Sequence, residues 1–153
     1  MEAKKVFFDP CPTVAYKVYS LVDPTQVLTL QPGTNKLILD TYKAAPNQLF
    51  HVYNDNLKYA FVNVASNLGL HIEGENQGDG GVIKGDPAPH PSSYFTIEPI
   101  TQGKHAGRAC YIKTFAAEKA LDILGGKCIP GNQVAQWKFH GGDNQTWAIT
   151  PAD

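Results

Sequence analysis

The chain has 153 residues, the usual size of one compact domain, with 42% hydrophobic and 18% charged residues and 13 Lys+Arg against 14 Asp+Glu, a formal net charge of −1. That balance, with no run of basic residues, argues against nucleic acid as a partner, and apolar stretches of only a few residues, against the roughly 20 that a bilayer demands, argue against a membrane span. Fourteen Gly and 11 Pro are more interruption than a helical bundle tolerates and favour many short strands.

The N-terminal "MEAKKVFFDPCP" lacks an apolar segment before a small-residue cleavage site, so a chain without a secretory leader is expected. From Tyr16, "YKVYSLVDPTQVLTL" reads as two strands around an Asp-Pro turn, and "QPGTN" as a second turn. "NQLFHV" then opens a strand in which Gln48, Phe50 and Val52 share one face. After the turn "YNDN", the segment "YAFVNVASNLGLHI" repeats the strand pair and the Gly-rich "GENQGDGG" follows as a surface loop. That loop has neither the GK[ST] ending nor the strand-to-helix setting of a phosphate loop. "KGDPAPHPSSYF" is a stiff, irregular connection through residues 86–91, suited to a partner's cleft or to blocking edge pairing. "SSYFTI" repeats the aromatic ending with Phe95.

"CYIKTFAAEKALDIL" contains good helix formers, but its two sister segments carry Asp-Pro and Ser-Asn at the matching point. We therefore read strand, turn, strand. The final "GNQVAQWKFHGGDNQTWAI" ends in Trp147, again two residues after a Gln. Matching positions thus recur at intervals of roughly a third of the chain. Three units of about four strands, over residues 10–55, 56–102 and 103–153, make one all-β domain: a closed barrel with threefold pseudosymmetry, a β-trefoil, which leaves few strand edges exposed.

In "ALDIL" alternation places Leu121 and Ile123 on one face and Asp122 on the other, which is read as outward. Trp137 and Ala135 share a face opposite Val134 and Gln136, and "HGGDN" turns tightly enough to bring His140 and Asn144 toward the same spot. A carboxylate that accepts two hydroxyls, beside an exposed indole, is the chemistry a sugar ring requires. Gln136 departs from the pattern, since a polar amide is directed inward.

The segments "KALDILGG" and "GNQVAQWKFHGGDNQTWAI" resemble the repeat of the ricin B chain-like (R-type) β-trefoil lectins, fungal-type members especially. The resemblance implies a carbohydrate-binding protein without catalysis that recognises galactose or N-acetylgalactosamine ends. It implies Asp122, Gly125, Trp137, His140 and Asn144 as carbohydrate-binding residues, with Gln145, Trp147, Gln48, Phe50 and Phe95 as scaffold. The first unit has Thr29 and Asp40 where the third has Asp122 and Trp137, and the second is read with His71 and Gly85 there. One good site per chain is expected, with a homodimer supplying avidity.

The alternative is a protease inhibitor or other protein-binding trefoil acting through loop 86–91. No cofactor or metal is expected: His51, His71, His90, His105 and His140 show no HExxH spacing, and no serine sits in a GxSxG elbow. Cys11, Cys110 and Cys128 form no CxxC pair, and "NQT" at Asn144 is the lone N-glycosylation acceptor, through the proposed site. Both favour a cytoplasmic location, with release by a route that uses no leader.

Overall fold

The computed structural model describes residues 8–87 and 93–152. Within them lie twelve strands: β1 (Tyr16–Ser20), β2 (Gln26–Leu30), β3 (Leu37–Thr41), β4 (Phe50–Asp55), β5 (Lys58–Asn63), β6 (Gly69–Ile72), β7 (Gly81–Asp86), β8 (Phe95–Pro99), β9 (Cys110–Thr114), β10 (Ala120–Ile123), β11 (Val134–Trp137) and β12 (Trp147–Pro151). All the pairings are antiparallel. β1, β4, β5, β8, β9 and β12 pair in that order, and β12 returns to β1, so these strands close into a barrel. The hairpins β2–β3, β6–β7 and β10–β11 cover one end of it. They join each other through β7–β11 pairing and through bridges from Lys36 to Lys84 and from Ile38 to Gln133. A closed barrel capped by three hairpins is the β-trefoil expected from the spacing.

Barrel strands alternate because one face meets the core and the other meets solvent. In β5, for example, Tyr59, Phe61 and Asn63 are buried while Lys58, Ala60 and Val62 are partly exposed. The aromatic endings point inward: Phe50, Phe95 and Trp147 are completely buried. Phe61 packs edge-to-face on Phe95 with centroids 5.6 Å apart, a favoured aromatic geometry.

The helix-forming letters around Ala116 do not make a helix. Glu118 takes a positive φ of 56°, as Asn67 does (60°) in the second unit. The amides of Thr114 and Asn63 donate to Lys119 and Leu68 carbonyls in the same pattern. Pairing with β8 and β12 on one side and β11 on the other outweighs local propensity there.

The hairpin registers align the three units. Val27 faces Asp40, Gly69 faces Asp86 and Ala120 faces Trp137, while Thr29, His71 and Asp122 hold equivalent places two residues along. This corrects one expectation. Asp86, not Gly85, occupies the position of Trp137, because Gly85 pairs with Leu70 as Gln136 pairs with Leu121.

Candidate functional site

Leu121 and Ile123 join the core, which directs Asp122 to the opposite face of β10, across from Ala135. That face was expected to open to solvent, but Asp122 is only 3% exposed. Polar neighbours cover it. Gln145 Nε2 donates to Oδ2 at 2.8 Å, Asn144 Nδ2 donates to Oδ1 at 3.1 Å, and His140 Nε2 lies 3.6 Å from Oδ2. Burial raises the pKa of the Asp122 carboxyl above the ordinary aspartate value, outweighing the lowering by Gln145, His140 and Asn144, and the negative charge of Asp79 adds to the rise.

Gln145 is fully buried, and its amide is committed at both ends. Oε1 accepts the His140 and Gly141 amides at 3.0 and 3.1 Å, and Nε2 also donates to the Lys138 carbonyl at 3.0 Å. One side chain therefore closes the loop after β11 and orients the acid. Gln48 performs the loop-closing part in the first unit: Oε1 accepts the Lys43 amide at 2.9 Å and Nε2 donates to the Thr41 carbonyl at 2.9 Å. Trp147, behind Gln145, donates its indole N–H to the Leu121 carbonyl at 3.1 Å.

His140 is half exposed. Its Nδ1 accepts the Gly142 amide at 2.9 Å, so the neutral ring carries its proton on Nε2, directed at Asp122. A Cβ on Gly142 would stand 2.8 Å from His140 Cε1, so a side chain there would displace the ring. Trp137 is 40% exposed and lies on the same side of the hairpin as Asp122, two pairs along the ladder. Asn144 also donates to the Ile123 carbonyl at 3.2 Å, which leaves its Oδ1 as an acceptor. Gly125 sits in the 3₁₀ turn Leu124–Gly126 with φ 68° and open space where a Cβ would stand.

Two further residues border the site. Phe139, two residues beyond Trp137 and also exposed, packs edge-to-face on Tyr111 at 4.7 Å, with Lys113 Nζ 4.0 Å above its ring. Asp79 of the second unit accepts the Lys138 amide at 2.8 Å and the Lys119 ammonium at 2.8 Å. The alternation of Trp137 and Phe139 was readable in the sequence. The approach of Asp79 was not, since it depends on how two units meet.

The equivalent places elsewhere are built differently. Thr29 is buried and turns its hydroxyl to the Val27 carbonyl at 3.1 Å, while His71 is buried with Nδ1 3.3 Å from Ser93 Oγ. Most of the loop over residues 86–91 lies outside the described residues. Among those described, no group of three His, Cys, Asp or Glu side chains could hold a metal ion, and no helix is long and apolar enough to cross a membrane.

No protein-family model matches the sequence, and no curated protein matches it significantly. Solved structures do match, in fold. A designed threefold-symmetric protein, ThreeFoil, superposes with a TM-score of 0.79 at 21% identity, over 89% of this chain and 97% of its own. The ricin B-like lectin of Macrolepiota procera, solved in complex with lactose, gives 0.77 at 24% identity, over 95% of this chain and 100% of its own. The exo-β-1,3-galactanase of Clostridium thermocellum gives 0.80 at 20% identity, over 92% of this chain but 30% of that one. The chain is a β-trefoil, and its structural neighbours include ricin B-like lectins.

Proposed function

We propose that the protein is a lectin that binds terminal galactose or N-acetylgalactosamine residues through its third unit, without catalysis. The observation that carries this reading is a half-exposed indole on the same hairpin face as a carboxylate held by two amides and overlooked by an imidazole N–H. An apolar sugar face rests on Trp137. A pair of neighbouring hydroxyls addresses Asp122, and hydrogen bonds to an ionised group are the strong kind. The 3.6 Å between His140 Nε2 and Asp122 Oδ2 is too long for a direct hydrogen bond. One hydroxyl set beside the pair, within reach of both, donates to the carboxylate and accepts from the imidazole. Asn144 Oδ1 accepts a further hydroxyl. The lactose-bound neighbour with the same fold supports this reading.

A shallow cup for one sugar binds weakly, so a homodimer with paired sites supplies the avidity in this proposal. The three cysteines are unpaired, which suits a reducing compartment such as the cytoplasm. A glycan array with the unmodified protein, followed by calorimetry with galactose, lactose, glucose and mannose, tests the assignment. Selective galactoside binding is expected. Binding of none of these sugars, or equal binding of all four, would overturn it.

A further inference from the structure

The loop Asn76–Gly81 belongs to the second unit, yet, besides bonds within its own unit, it makes a set of bonds to the third. Gln136 is fully buried, and its Nε2 donates to the Asn76 carbonyl at 2.7 Å and the Gly78 carbonyl at 2.9 Å. The Gly80 amide donates to the Gln136 carbonyl at 2.8 Å. Asp79 Oδ1 takes the Lys138 amide and Lys119 Nζ. Gly81 leaves room for the clamp, because a Cβ there would stand 2.6 Å from Gln136 Nε2. A Cβ on Gly80 would stand 3.7 Å from Trp137 Cζ3, so this backbone runs beside the exposed indole.

Packing alone does not explain the clamp. A half-open cavity of about 250 Å³, lined in part by Ile72, Asn76, Gln77, Thr114, Ala116 and Gln136, lies beside the loop, which leaves polar bonds to hold it. Gln136 Oε1 is buried with no hydrogen-bond partner, an arrangement that costs stability. An apolar residue would avoid that cost but would leave the Asn76 and Gly78 carbonyls without their donor and the loop without its clamp. The amide is explained if the position of the loop matters to the site.

We infer that the loop Asn76–Gly81 forms one wall of the third unit's sugar site, and that Asp79 on it is a specificity-determining residue that accepts a hydroxyl of the saccharide linked to the one on Trp137. Gln136 is the positioning residue. This rests on the lectin reading above. Hydrogen bonding to Lys119 leads the effects that hold the Asp79 carboxyl below the ordinary aspartate range, so it is ionised at neutral pH. Its Oδ1 serves Lys119 and Lys138, and Oδ2 is left for a ligand.

Calorimetry with galactose and lactose on the wild type, Asp79→Asn and Gln136→Met tests this. The wild type is expected to prefer lactose, and Asp79→Asn to lower the lactose-to-galactose affinity ratio by about fivefold, the worth of one charge-assisted hydrogen bond on an open rim. Gln136→Met is expected to lower the same ratio and to raise acrylamide quenching of Trp137, isolated by subtracting a Trp137→Phe control. Galactose binding with a ratio unmoved by Asp79→Asn overturns this inference alone. A wild type that binds neither sugar overturns the lectin reading with it.

Discussion

Replacing Asp122 with Asn separates what the acid does for the fold from what it does for a ligand. Asn keeps the shape but offers one acceptor where the carboxylate offers two. The Gln145 amide cannot rotate, because Oε1 holds the His140 and Gly141 amides and Nε2 holds the Lys138 carbonyl. The new side chain must therefore give its oxygen to Gln145 and turn its NH₂ toward Asn144 Nδ2. One hydrogen bond is lost, about 1 kcal/mol, while the cost of a charge held out of water is relieved. We expect stability at pH 7 within about 1 kcal/mol of wild type, or about 3 °C in Tm.

The pH dependence is sharper than the magnitude. Burial raises the folded pKa of Asp122 above its unfolded value, so the folded state retains the proton more strongly. Its contribution to stability is complete below the unfolded aspartate pKa, about 3.9, and is lost as pH rises through the folded value. The stability of the wild type relative to Asp122→Asn should therefore fall as pH rises across that window. Galactoside binding should move the opposite way, since it needs the ionised form. Two charge-assisted bonds lost in the variant predict at least about a hundredfold weaker binding. Urea melts and calorimetry over the acidic range check both. A stability difference that grows with pH, or lactose binding within tenfold of wild type in the variant, would refute the reasoning.

Trp147→Ala removes a fully buried ring and should cost about 3–5 kcal/mol, whereas Trp137→Ala should cost about 1 kcal/mol and abolish sugar binding; thermal melts beside a galactoside column distinguish them. Gln145→Leu strips partners from the His140 and Gly141 amides and should lose about 2–3 kcal/mol, with binding lost as well. Gly142→Ala should shift His140 and weaken galactose binding several-fold with little change in Tm, measured by calorimetry and melting. A glycan attached to Asn144 would replace one of the two N–H groups donated to Asp122 and Ile123 and fill the site, so glycosylated protein identified by mass spectrometry should not bind.

The barrel was legible because its signals are local and repeated. Three aromatic endings with matching spacing reveal three units, and alternation around Phe50, Phe95 and Trp147 directs those rings inward. Alternation also assigned Asp122 to the face away from the core. It did not reveal that Gln145, Asn144 and His140 would cover that face, because period-two patterning reports direction and not what a distant loop lays on top. The one-residue misplacement at Gly85 has a similar origin. Register depends on which residues pair across the hairpin, and the Gly85–Asp86 end of β7 carries no local sequence marker of it. Gln136 departs from an apolar pattern in sequence, and the departure acquires a reason only when the second unit's loop is seen against it.

The comparison of Gln48 with Gln145 shows how one unit can carry a site while the other two remain scaffold. Both amides close the loop ahead of the next barrel strand by the same bonds to backbone. That closure exists in the first unit without any acid. In the first unit the remaining amide hydrogen points toward the Thr29 hydroxyl at 3.5 Å. In the third the same hydrogen meets the Asp122 carboxylate at 2.8 Å. A site needs only an acid at the place of Thr29 and a ring at the place of Asp40, added to a clamp already in position. Gln48→Leu accordingly serves as the internal reference for Gln145→Leu. The loss of stability common to the two variants measures loop closure, and the excess loss of sugar binding in Gln145→Leu measures the orientation of the acid.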